Sequence, residues 1–520
     1  APAFTMQDFS QVFDNYTNGR FEILWGEAIS RGSVQNVRGT YGYYIWRDGV
    51  RHNAQVTSRN HGFFVQDSWQ IAKNVTLNLG VRLENEFLPP YTAVVAGNKV
   101  PNPISFGWGD KVAPLLGGAW DVFGNGKTKI SASYGQYFDL MKYELARGSF
   151  GGDYWHDHYY RLNDPDISKL SLSNPAALAG GTPKVLDVDN RTVPINAQGQ
   201  LDGIDPDIKP MSSRQYSVAW DQELRPGMIF NVRYTRSRLV RGIEDIGVLD
   251  ANLNEVYTIG NPGFGATDAT KFKTPSGVPL TPKAVRNYDG VEFRLDGRFS
   301  EGLLKRLNYN VSYTYSRLWG NWGGLANSDE NGRSDPNVSR AFDLSTGNFD
   351  SKGQNVYGLL ATDRPHTAKF FLNYAQPWKS GETLISINQI AYSGTPLTST
   401  VGFLVPVFYA GRNDLGRTPA LTQTDLLISH TINLGERVKM KLDANITNLL
   451  NQASVFNVDS SINRSGSINI SEADFYKGGW DVNKLVNPVN GAAPALNINY
   501  KFPTAYQGIR DVRLGMRLTF

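Results

Sequence analysis

The sequence lacks the features that define several common protein classes. It has no cysteine among its 520 residues, which excludes a disulfide framework, a thiolate metal site and a cysteine nucleophile. It has no run of about 18 apolar residues, and its mean hydropathy is −0.36, which together exclude a helical membrane protein. The 52 Lys and Arg nearly balance the 48 Asp and Glu, and this dispersed net charge of +4 indicates no nucleic-acid partner.

The first residues also lack a recognisable secretory signal. The segment Ala1–Met6 shows no basic region followed by an apolar region, and the first methionine is not the first residue. We therefore expect a mature, processed or truncated chain.

What the sequence does have is a hydrophobic period of two. In residues 75–84 aliphatic side chains occupy every odd position and polar, charged or glycine residues every even one, and residues 291–296, 309–316, 438–447 and 512–520 repeat the alternation. This pattern is typical of strands with one apolar and one wet face. The patterns run for about ten residues or more, against about 5–6 in soluble sheets, which favours strands that cross a membrane.

The connections between these strands alternate between short and long. We predict about thirteen strands, near residues 61–69, 75–87, 113–122, 127–138, 213–224, 228–238, 289–299, 306–318, 366–376, 383–393, 423–434, 437–448 and 510–520, and a possible fourteenth at 40–47. Short turns rich in Gly, Pro and Asn alternate along the chain with long connections of roughly 25 to 75 residues, as in outer-membrane barrels. We predict an all-β, antiparallel transmembrane β-barrel with short periplasmic turns and long extracellular loops. Residues 61–520 form the barrel, and residues 1–60 are an uncertain strand and loop region.

Several segments resemble one family of outer-membrane proteins. The segments are Phe63–Trp69, Val75–Glu84, Ala113–Gly124, Asp329–Arg333, Thr362–His366, Ser393–Pro396, Leu415–Pro419, Asn448–Asn451 and Arg513–Phe520. In this order they resemble the barrel of TonB-dependent outer-membrane transporters of the Oar-like branch. The resemblance implies a barrel of about 22 strands, an N-terminal plug and a TonB-binding segment. The 13 or 14 strands expected here would then be the C-terminal part of that barrel, with plug, signal peptide and TonB box outside this chain.

One predicted extracellular loop carries a group of aromatic and histidine residues. Two histidines at positions i and i+2, His156 and His158, could offer imidazoles to a metal from one side of an extended segment, although no third ligand is visible in the sequence. The alternative is an aromatic loop surface that contacts a ligand. The candidate ligand-binding residues are Trp155, His156, His158, Tyr159, Tyr160, Trp319 and Trp322.

A second loop has the composition of a hard-cation site. Its candidate ligands for Ca²⁺ are Asp329, Glu330, Asn331 and Asp335. An EF-hand loop would carry a carboxylate at its twelfth position, where this sequence has Arg340. The alternative is an Asn-Gly turn with solvated acids. Beyond this possible Ca²⁺ site we expect no cofactor.

The polar positions of the strands are predicted to face the barrel lumen, because they alternate with the aliphatic positions that would meet lipid. This lumen-facing set consists of Arg82, Glu84, Arg233, Glu292, Arg294, Asp296, Lys439, Lys441, Asp443, Arg513 and Arg517. The terminal Phe520 resembles the C-terminal aromatic that the barrel-assembly machinery recognises.

Together these patterns predict an integral protein in the outer membrane of a Gram-negative-type bacterium. The resemblance implies a receptor that moves a large or scarce substrate, with a plug domain, the TonB complex, the barrel-assembly machinery and outer-membrane lipid and lipopolysaccharide as partners. A passive pore and a surface adhesion or scaffold barrel are alternatives. We expect no enzyme, since there is no Gly-x-Ser-x-Gly motif and the 6 His are scattered.

Overall fold

A computed structural model describes most of the chain. The described residues are 3–14, 20–31, 34–48, 53–89, 94–95, 98–99, 103–141, 156–189, 204–249, 255–268, 270, 281–299, 301–302, 305–324, 342, 345–402, 406–435, 437–463, 470, 472–485 and 496–520. Within these ranges no helix has the length and apolar character needed to cross a membrane.

One antiparallel sheet dominates the described residues. Its 14 strands follow one another as neighbours in chain order, and a short strand, β20 (Gly358–Leu359), pairs with the end of β19 (Leu307–Gly320). The 14 strands are β1 (Ala3–Asp14), β6 (Asn53–Ala72), β7 (Val75–Leu88), β10 (Ile104–Asp121), β11 (Thr128–Phe138), β14 (Ser212–Arg225), β15 (Met228–Arg241), β18 (Arg286–Arg298), β19 (Leu307–Gly320), β21 (His366–Trp378), β22 (Gly381–Tyr392), β25 (Leu421–Asn433), β26 (Lys439–Thr447) and β29 (Asp511–Thr519). The predicted antiparallel all-β fold with 13 or 14 long strands is confirmed.

The remaining strands lie in the long connections. Four of them form a separate sheet in the order β13-β12-β5-β2, which we call the loop sheet: β2 (Arg20–Trp25), β5 (Gly42–Asp48), β12 (His156–Leu162) and β13 (Leu186–Asp189). Two-stranded ribbons are formed by β3 (Ile29–Arg31) with β4 (Val34–Val37), β8 (Val94–Val95) with β9 (Asn98–Lys99), β16 (Glu244–Leu249) with β17 (Glu255–Gly260), β23 (Thr400–Gly402) with β24 (Pro406–Phe408), and β27 (Val455–Val458) with β28 (Pro503–Tyr506). A short α-helix, α1 (Glu472–Lys477), lies in the connection between β26 and β29.

The short turns have the local chemistry that tight reversals require. Between β10 and β11 the carboxylate of Asp121 accepts hydrogen bonds from the backbone N–H groups of Gly124, at 3.1 Å, and Gly126, at 2.7 Å. Both glycines have positive φ angles, +67° and +74°, which residues with a Cβ atom rarely adopt. Such turns gather at one end of the sheet, so all the long connections emerge at the other.

The strand register explains how one face of the sheet becomes continuously apolar. Leu79 on β7 lies opposite Leu116 on β10, which lies opposite Tyr134 on β11. The ring of Tyr134 in turn contacts that of Tyr216 on β14, with centroids 5.0 Å apart. Leu79 and Leu116 remain 43 % and 46 % exposed in the isolated chain. An apolar face without a protein partner is expected where lipid covers it.

The predicted fourteenth strand proved to be wrong in its location. Residues 42–48 do form a strand, β5, but it belongs to the loop sheet, where it pairs with β2 and β12. The fourteenth strand of the large sheet is β1, which pairs with β6 from Ala3 opposite Phe64 to Asp14 opposite Asn53. Of the aromatic residues that suggested a membrane strand at 40–47, Tyr44 is buried in the loop sheet and Trp46 packs against it, whereas Tyr41 precedes β5 and is exposed.

The long connections pack against one another in three apolar groups. The first loop cluster contains Leu88, Ile104, Phe106, Met141, Met211, Ile243, Ile259, Trp322 and Phe342. The second loop cluster contains Phe349, Val401, Val407, Phe475, Tyr476 and Val482. The core of the loop sheet contains Tyr44, Tyr160, Leu162, Leu178 and Ala179. Each group draws on at least two long connections, and we call the three packed groups together the cap.

Candidate functional site

The predicted lumen-facing residues all share one face of the large sheet. Directly paired residues on neighbouring strands point to the same face, and the pairs include Arg233 with Glu292, and Lys441 with Arg517. Following the register from β7 to β29 places Arg82, Glu84, Arg233, Glu292, Arg294, Asp296, Lys439, Lys441, Asp443, Arg513 and Arg517 on this polar face. The apolar face described above is the opposite one.

Charges on the polar face are largely paired with neighbours of opposite sign. The Nε atom of Arg294 lies 2.6 Å from Oδ2 of Asp296, two residues along the same strand. Lys441 Nζ lies 3.1 Å from Asp443 Oδ1 in the same arrangement. Because residues two apart on a strand point to the same side, each pair remains on the polar face. The result is a wall of mixed charge that water or a polar protein partner can solvate.

The loop sheet contains two of the predicted ligand-binding aromatics, Tyr159 and Tyr160, and it buries them. Tyr159 and Tyr160 are 5 % and 8 % exposed. The Tyr160 ring stacks on that of Tyr44 at 5.2 Å, and the Tyr159 ring on that of Tyr43 at 6.1 Å. The predicted aromatic contact surface is therefore the packed interior of a small sheet, in which these two rings are not available to a ligand.

The two predicted histidines lie on one face of β12 with an acidic neighbour that sequence spacing did not reveal. His158 pairs across the sheet with Asp187 of β13 on one side and with Trp46 of β5 on the other. Oδ1 of Asp187 lies 2.7 Å from Nε2 of His156 and 3.0 Å from Nδ1 of His158. Nothing in the sequence separates Asp187 from other loop acids, since its position depends on the β12–β13 register.

An ion pair on the other side of β12 also escaped the sequence analysis. Arg47 of β5 binds Asp157 through two hydrogen bonds, Nε to Oδ1 at 2.6 Å and Nη2 to Oδ2 at 2.7 Å. The carboxylate of Asp157 is buried, with its side chain 2 % exposed. The hydrogen bond to Asp157 raises the pKa of Arg47 further above its ordinary value. The guanidinium in turn compensates the buried charge of the Asp157 carboxylate.

Burial and hydrogen bonding shift other titrations in the loop sheet. Partial burial opposes ionisation of Asp187, but hydrogen bonds from Lys184 and His156 outweigh it and hold the pKa of that carboxyl below its usual value. Burial, reinforced by the neighbouring Tyr160, raises the pKa of the Tyr44 phenol. The folded loop sheet therefore favours the ionised form of Asp187 and the neutral form of Tyr44.

The two remaining tryptophan candidates occupy different environments. Trp319, near the end of β19, is half-buried and stacks on Tyr357 with ring centroids 5.7 Å apart. Trp322 is 3 % exposed in the first loop cluster, and its indole N–H donates to the carboxylate of Glu244. Its burial argues against the predicted ligand contact, because the ring is covered by apolar side chains.

Some predicted residues cannot be placed. Trp155 and the four candidate Ca²⁺ ligands, Asp329, Glu330, Asn331 and Asp335, lie outside the described residues. The terminal Phe520 is described, follows β29 directly and is 88 % exposed.

A buried ion pair joins the first loop cluster to the large sheet. The ammonium group of Lys111 contacts the carboxylate of Glu86, and their side chains are 0 % and 5 % exposed. Lys111 Nζ also donates to the backbone carbonyl of Asp139 at 3.1 Å. The other Glu86 oxygen accepts a 2.7 Å hydrogen bond from the Met141 amide. The pair thus fixes the chain after β11 to β7 near its end and to the middle of β10.

A long-stranded antiparallel sheet with an exposed apolar face, a polar opposite face and long connections at one end defines the class of outer-membrane β-barrel proteins. The chain belongs to the family described as "Outer membrane beta barrel domain", whose profile matches residues 39–393, more than half of the sequence. It is an integral protein of the outer membrane, with its short turns on the periplasmic side and its long connections on the extracellular side.

Similarity to a characterised relative extends over almost the whole chain. The chain is 29 % identical over 532 aligned residues to the TonB-dependent transporter Oar of Myxococcus xanthus, covering 95 % of this chain and 46 % of that protein. It therefore spans about half the length of the curated relative that it matches.

Two solved outer-membrane proteins resemble the chain more remotely. The outer membrane transporter YddB from Escherichia coli is 10 % identical, with a TM-score of 0.47, over 88 % of this chain and 57 % of its own. The siderophore receptor PiuA from Acinetobacter baumannii is 10 % identical, with a TM-score of 0.43, over 91 % of this chain and 44 % of its own.

Proposed function

We propose that this chain is the barrel portion of a TonB-dependent outer-membrane receptor that moves a large or scarce substrate across the outer membrane. The observation that carries the proposal is the 29 % identity to a TonB-dependent transporter over 95 % of the chain. Because the chain spans only 46 % of that relative, the plug domain and the TonB complex enter as proposed partners.

In this proposal the polar face lines the lumen and contacts the plug. The ion-paired residues on it, such as Arg294 with Asp296, stay charged beside water and can exchange partners with polar groups of a plug. The apolar face is covered by lipid and lipopolysaccharide, and the barrel-assembly machinery recognises Phe520. We infer no catalytic role, since the curated relative that the chain matches is a transporter.

The packed cap suits a receptor because it can present a preformed surface to a ligand. Connections far apart in the sequence are tied together: Arg412, in the connection after β22, donates from Nε to the Val356 carbonyl at 2.9 Å and from Nη2 to the Asn321 carbonyl at 3.2 Å. A ligand that binds such a surface has less loop ordering to impose.

The decisive experiment separates a plugged, TonB-linked receptor from a passive pore. An antibody against residues 449–509 first isolates the native polypeptide from outer membranes, where we expect a heat-modifiable band well above 57.7 kDa. The purified full-length protein is then tested for binding to the periplasmic domain of TonB and for KCl conductance in planar bilayers. TonB binding with low conductance supports the proposal. Stable conductance without TonB binding overturns it in favour of a passive pore.

A substitution on each face tests the assignment of the lumen. With the plug unfolded in urea, Arg233→Gln removes a charge from the polar face, so we expect a change in the cation-to-anion selectivity of the opened barrel. The matched control, Leu79→Val on the apolar face, leaves selectivity unchanged. Equal selectivity in both variants would contradict a lumen-facing polar face.

A further inference from the structure

Three potential metal ligands converge at one edge of the loop sheet. They are the imidazoles of His156 and His158 and the carboxylate of Asp187, and their ligand atoms all lie within 4.8 Å of one another. The two imidazole centroids are 3.9 Å apart. The strands supply this arrangement, because residues i and i+2 of β12 share a face and the cross-strand partner of His158 is Asp187.

The distances suit a small tetrahedral cation. Zn²⁺ binds imidazole nitrogen and carboxylate oxygen at about 2.0–2.2 Å, which places tetrahedral ligand atoms about 3.3 Å from one another. Asp187 Oδ1 lies 2.7 Å from His156 Nε2 and 3.0 Å from His158 Nδ1. From 2.7 and 3.0 Å to about 3.3 Å, these atoms need to separate by about 0.6 and 0.3 Å, which side-chain adjustment can supply.

Without a cation the hydrogen bonding at His158 is in conflict. Its Nδ1 atom lies 3.0 Å from Lys184 Nζ, which can only donate, and 3.0 Å from Oδ1 of the Asp187 carboxylate, which can only accept. One ring nitrogen either carries a proton or presents a lone pair, so it satisfies one of these neighbours and not both. A metal ion would be bound by the lone pair of His158 and by the carboxylate together.

The surroundings hold the two histidines in place and leave a route from solvent. The Trp46 indole stacks on the His158 ring with centroids 4.6 Å apart, and the His156 and His158 side chains are only 15 % and 8 % exposed. The Asp187 side chain is 47 % exposed, so a fourth ligand can be water. Rings fixed by packing lose little freedom when they bind a metal.

We propose that His156, His158 and Asp187 bind a divalent transition cation of the Zn²⁺ class on the extracellular side. Two imidazoles and one carboxylate select such an ion over Ca²⁺, which prefers oxygen ligands alone. The bound ion links β12 to β13, and Lys184, whose Nζ lies 2.9 Å from Asp187 Oδ2, must swing away when the cation enters. Lys184 is therefore a competitor for the site. This site does not depend on the proposed transport function.

The test uses the full-length protein, purified from outer membranes in detergent and stripped of metal with EDTA. Co²⁺ alone is titrated at neutral pH, and the visible absorption of tetrahedral Co²⁺ reports occupancy. Competition with Zn²⁺ then gives the Zn²⁺ affinity. We expect one saturable site whose Co²⁺ absorption disappears when Zn²⁺ is added.

Three variants make the expected result specific. Asp187→Asn and His156→Gln each weaken binding by about tenfold or more, because each removes a ligand. Lys184→Met tightens binding, because it removes a cation from the site. Asp164→Asn, a control at a partly exposed acid of the same connection, leaves the affinity unchanged.

The opposite pattern would overturn the proposal. Absence of a saturable tetrahedral spectrum in the unsubstituted protein is one such result, and equal affinity in Asp187→Asn, His156→Gln and the control is another. If the three residues form only a hydrogen-bonded cluster, Lys184→Met removes a partner and produces no gain in affinity. Hydrogen exchange of the β12 amides, unchanged between Asp187→Asn and the control, verifies that the loop sheet remains folded.

Discussion

The buried Lys111–Glu86 pair offers the sharpest test of how the cap is attached to the barrel. Substituting Lys111→Met keeps most of the side-chain volume but removes the ammonium group. Glu86 would then keep the Met141 amide as a partner at 2.7 Å while its charge remains buried at 5 % exposure. The same change removes the 3.1 Å hydrogen bond from Lys111 to the Asp139 carbonyl. The segment 139–141 should therefore open to water more often.

The expected magnitude follows from the burial of both charges. Removing one partner of a buried ion pair typically costs about 3–5 kcal/mol, because the remaining charge is left uncompensated in a medium of low polarity. If this cost appears in the local opening of segment 139–141, the open population rises about 150- to 5,000-fold. A second substitution, Glu86→Gln, removes the orphaned charge but keeps a carbonyl that accepts from Met141. The double variant should recover most of the loss.

Hydrogen exchange measured by mass spectrometry on peptides covering 139–141 reports this opening directly. Lys209→Met is the matched control, since its ion pair with Asp110 at 3.1 Å lies beside Lys111 in sequence but leaves the two side chains 55 % and 32 % exposed. An exposed pair contributes about 0–1 kcal/mol, so the control should stay within roughly tenfold of the unsubstituted protein. The reasoning would be refuted if hydrogen exchange of segment 139–141 in Lys111→Met stayed within the range expected for the control. It would also be refuted if the double variant exchanged as fast as Lys111→Met alone.

Three further predictions concern the loop sheet and the second loop cluster. Arg47→Lys cannot keep both hydrogen bonds to Asp157, so we expect the free energy of local unfolding of β5 to fall by about 1.5–3 kcal/mol, measured by cleavage with thermolysin. An unchanged cleavage rate would contradict a bidentate pair. Since the pKa of Tyr44 is raised in the folded state, the stability that this phenol contributes is complete below about pH 10 and is lost as the pH rises beyond that value. Proteolysis across an alkaline series should show this loss, and Tyr44→Phe should lack it. Phe475→Ala, at a position 0 % exposed, should lower the stability of the second loop cluster by about 3–5 kcal/mol. The loss should appear as a lower urea midpoint for proteolytic cleavage of the β26–β29 connection. The control Phe456→Ala, at a position 45 % exposed, should shift this midpoint little.

The sequence was a good guide to the large sheet because local patterns encode it. In β7 the alternation of Leu79 and Val81 with polar residues determines which face each side chain occupies, whatever the rest of the chain does. The polar face followed from the same rule, and the register places all its predicted members together. Short turns such as 226–227 identified the strand ends without tertiary information.

The loop sheet could not be predicted in the same way. Its strands come from two connections separated by more than a hundred residues, as the pairing of Trp46 with His158 illustrates. The aromatic residues at 41–46 look the same in sequence whether they line a membrane girdle or fill a small core, since both settings favour Tyr and Trp. Asp187 became a candidate ligand only through the β12–β13 register, and no spacing rule connects it to His156.

The cap also implies an order of assembly. The core of the loop sheet joins Tyr44, from the connection after β1, to Tyr160 and Leu178, from the connection after β11. These partners can meet only after both connections have reached the outer side of the membrane, so contacts of such long range form late. Once they form, returning either connection through the bilayer requires the core of the loop sheet to be dismantled. The packed loops would therefore make insertion of the barrel effectively irreversible, because the barrel could leave the membrane only after these contacts are broken.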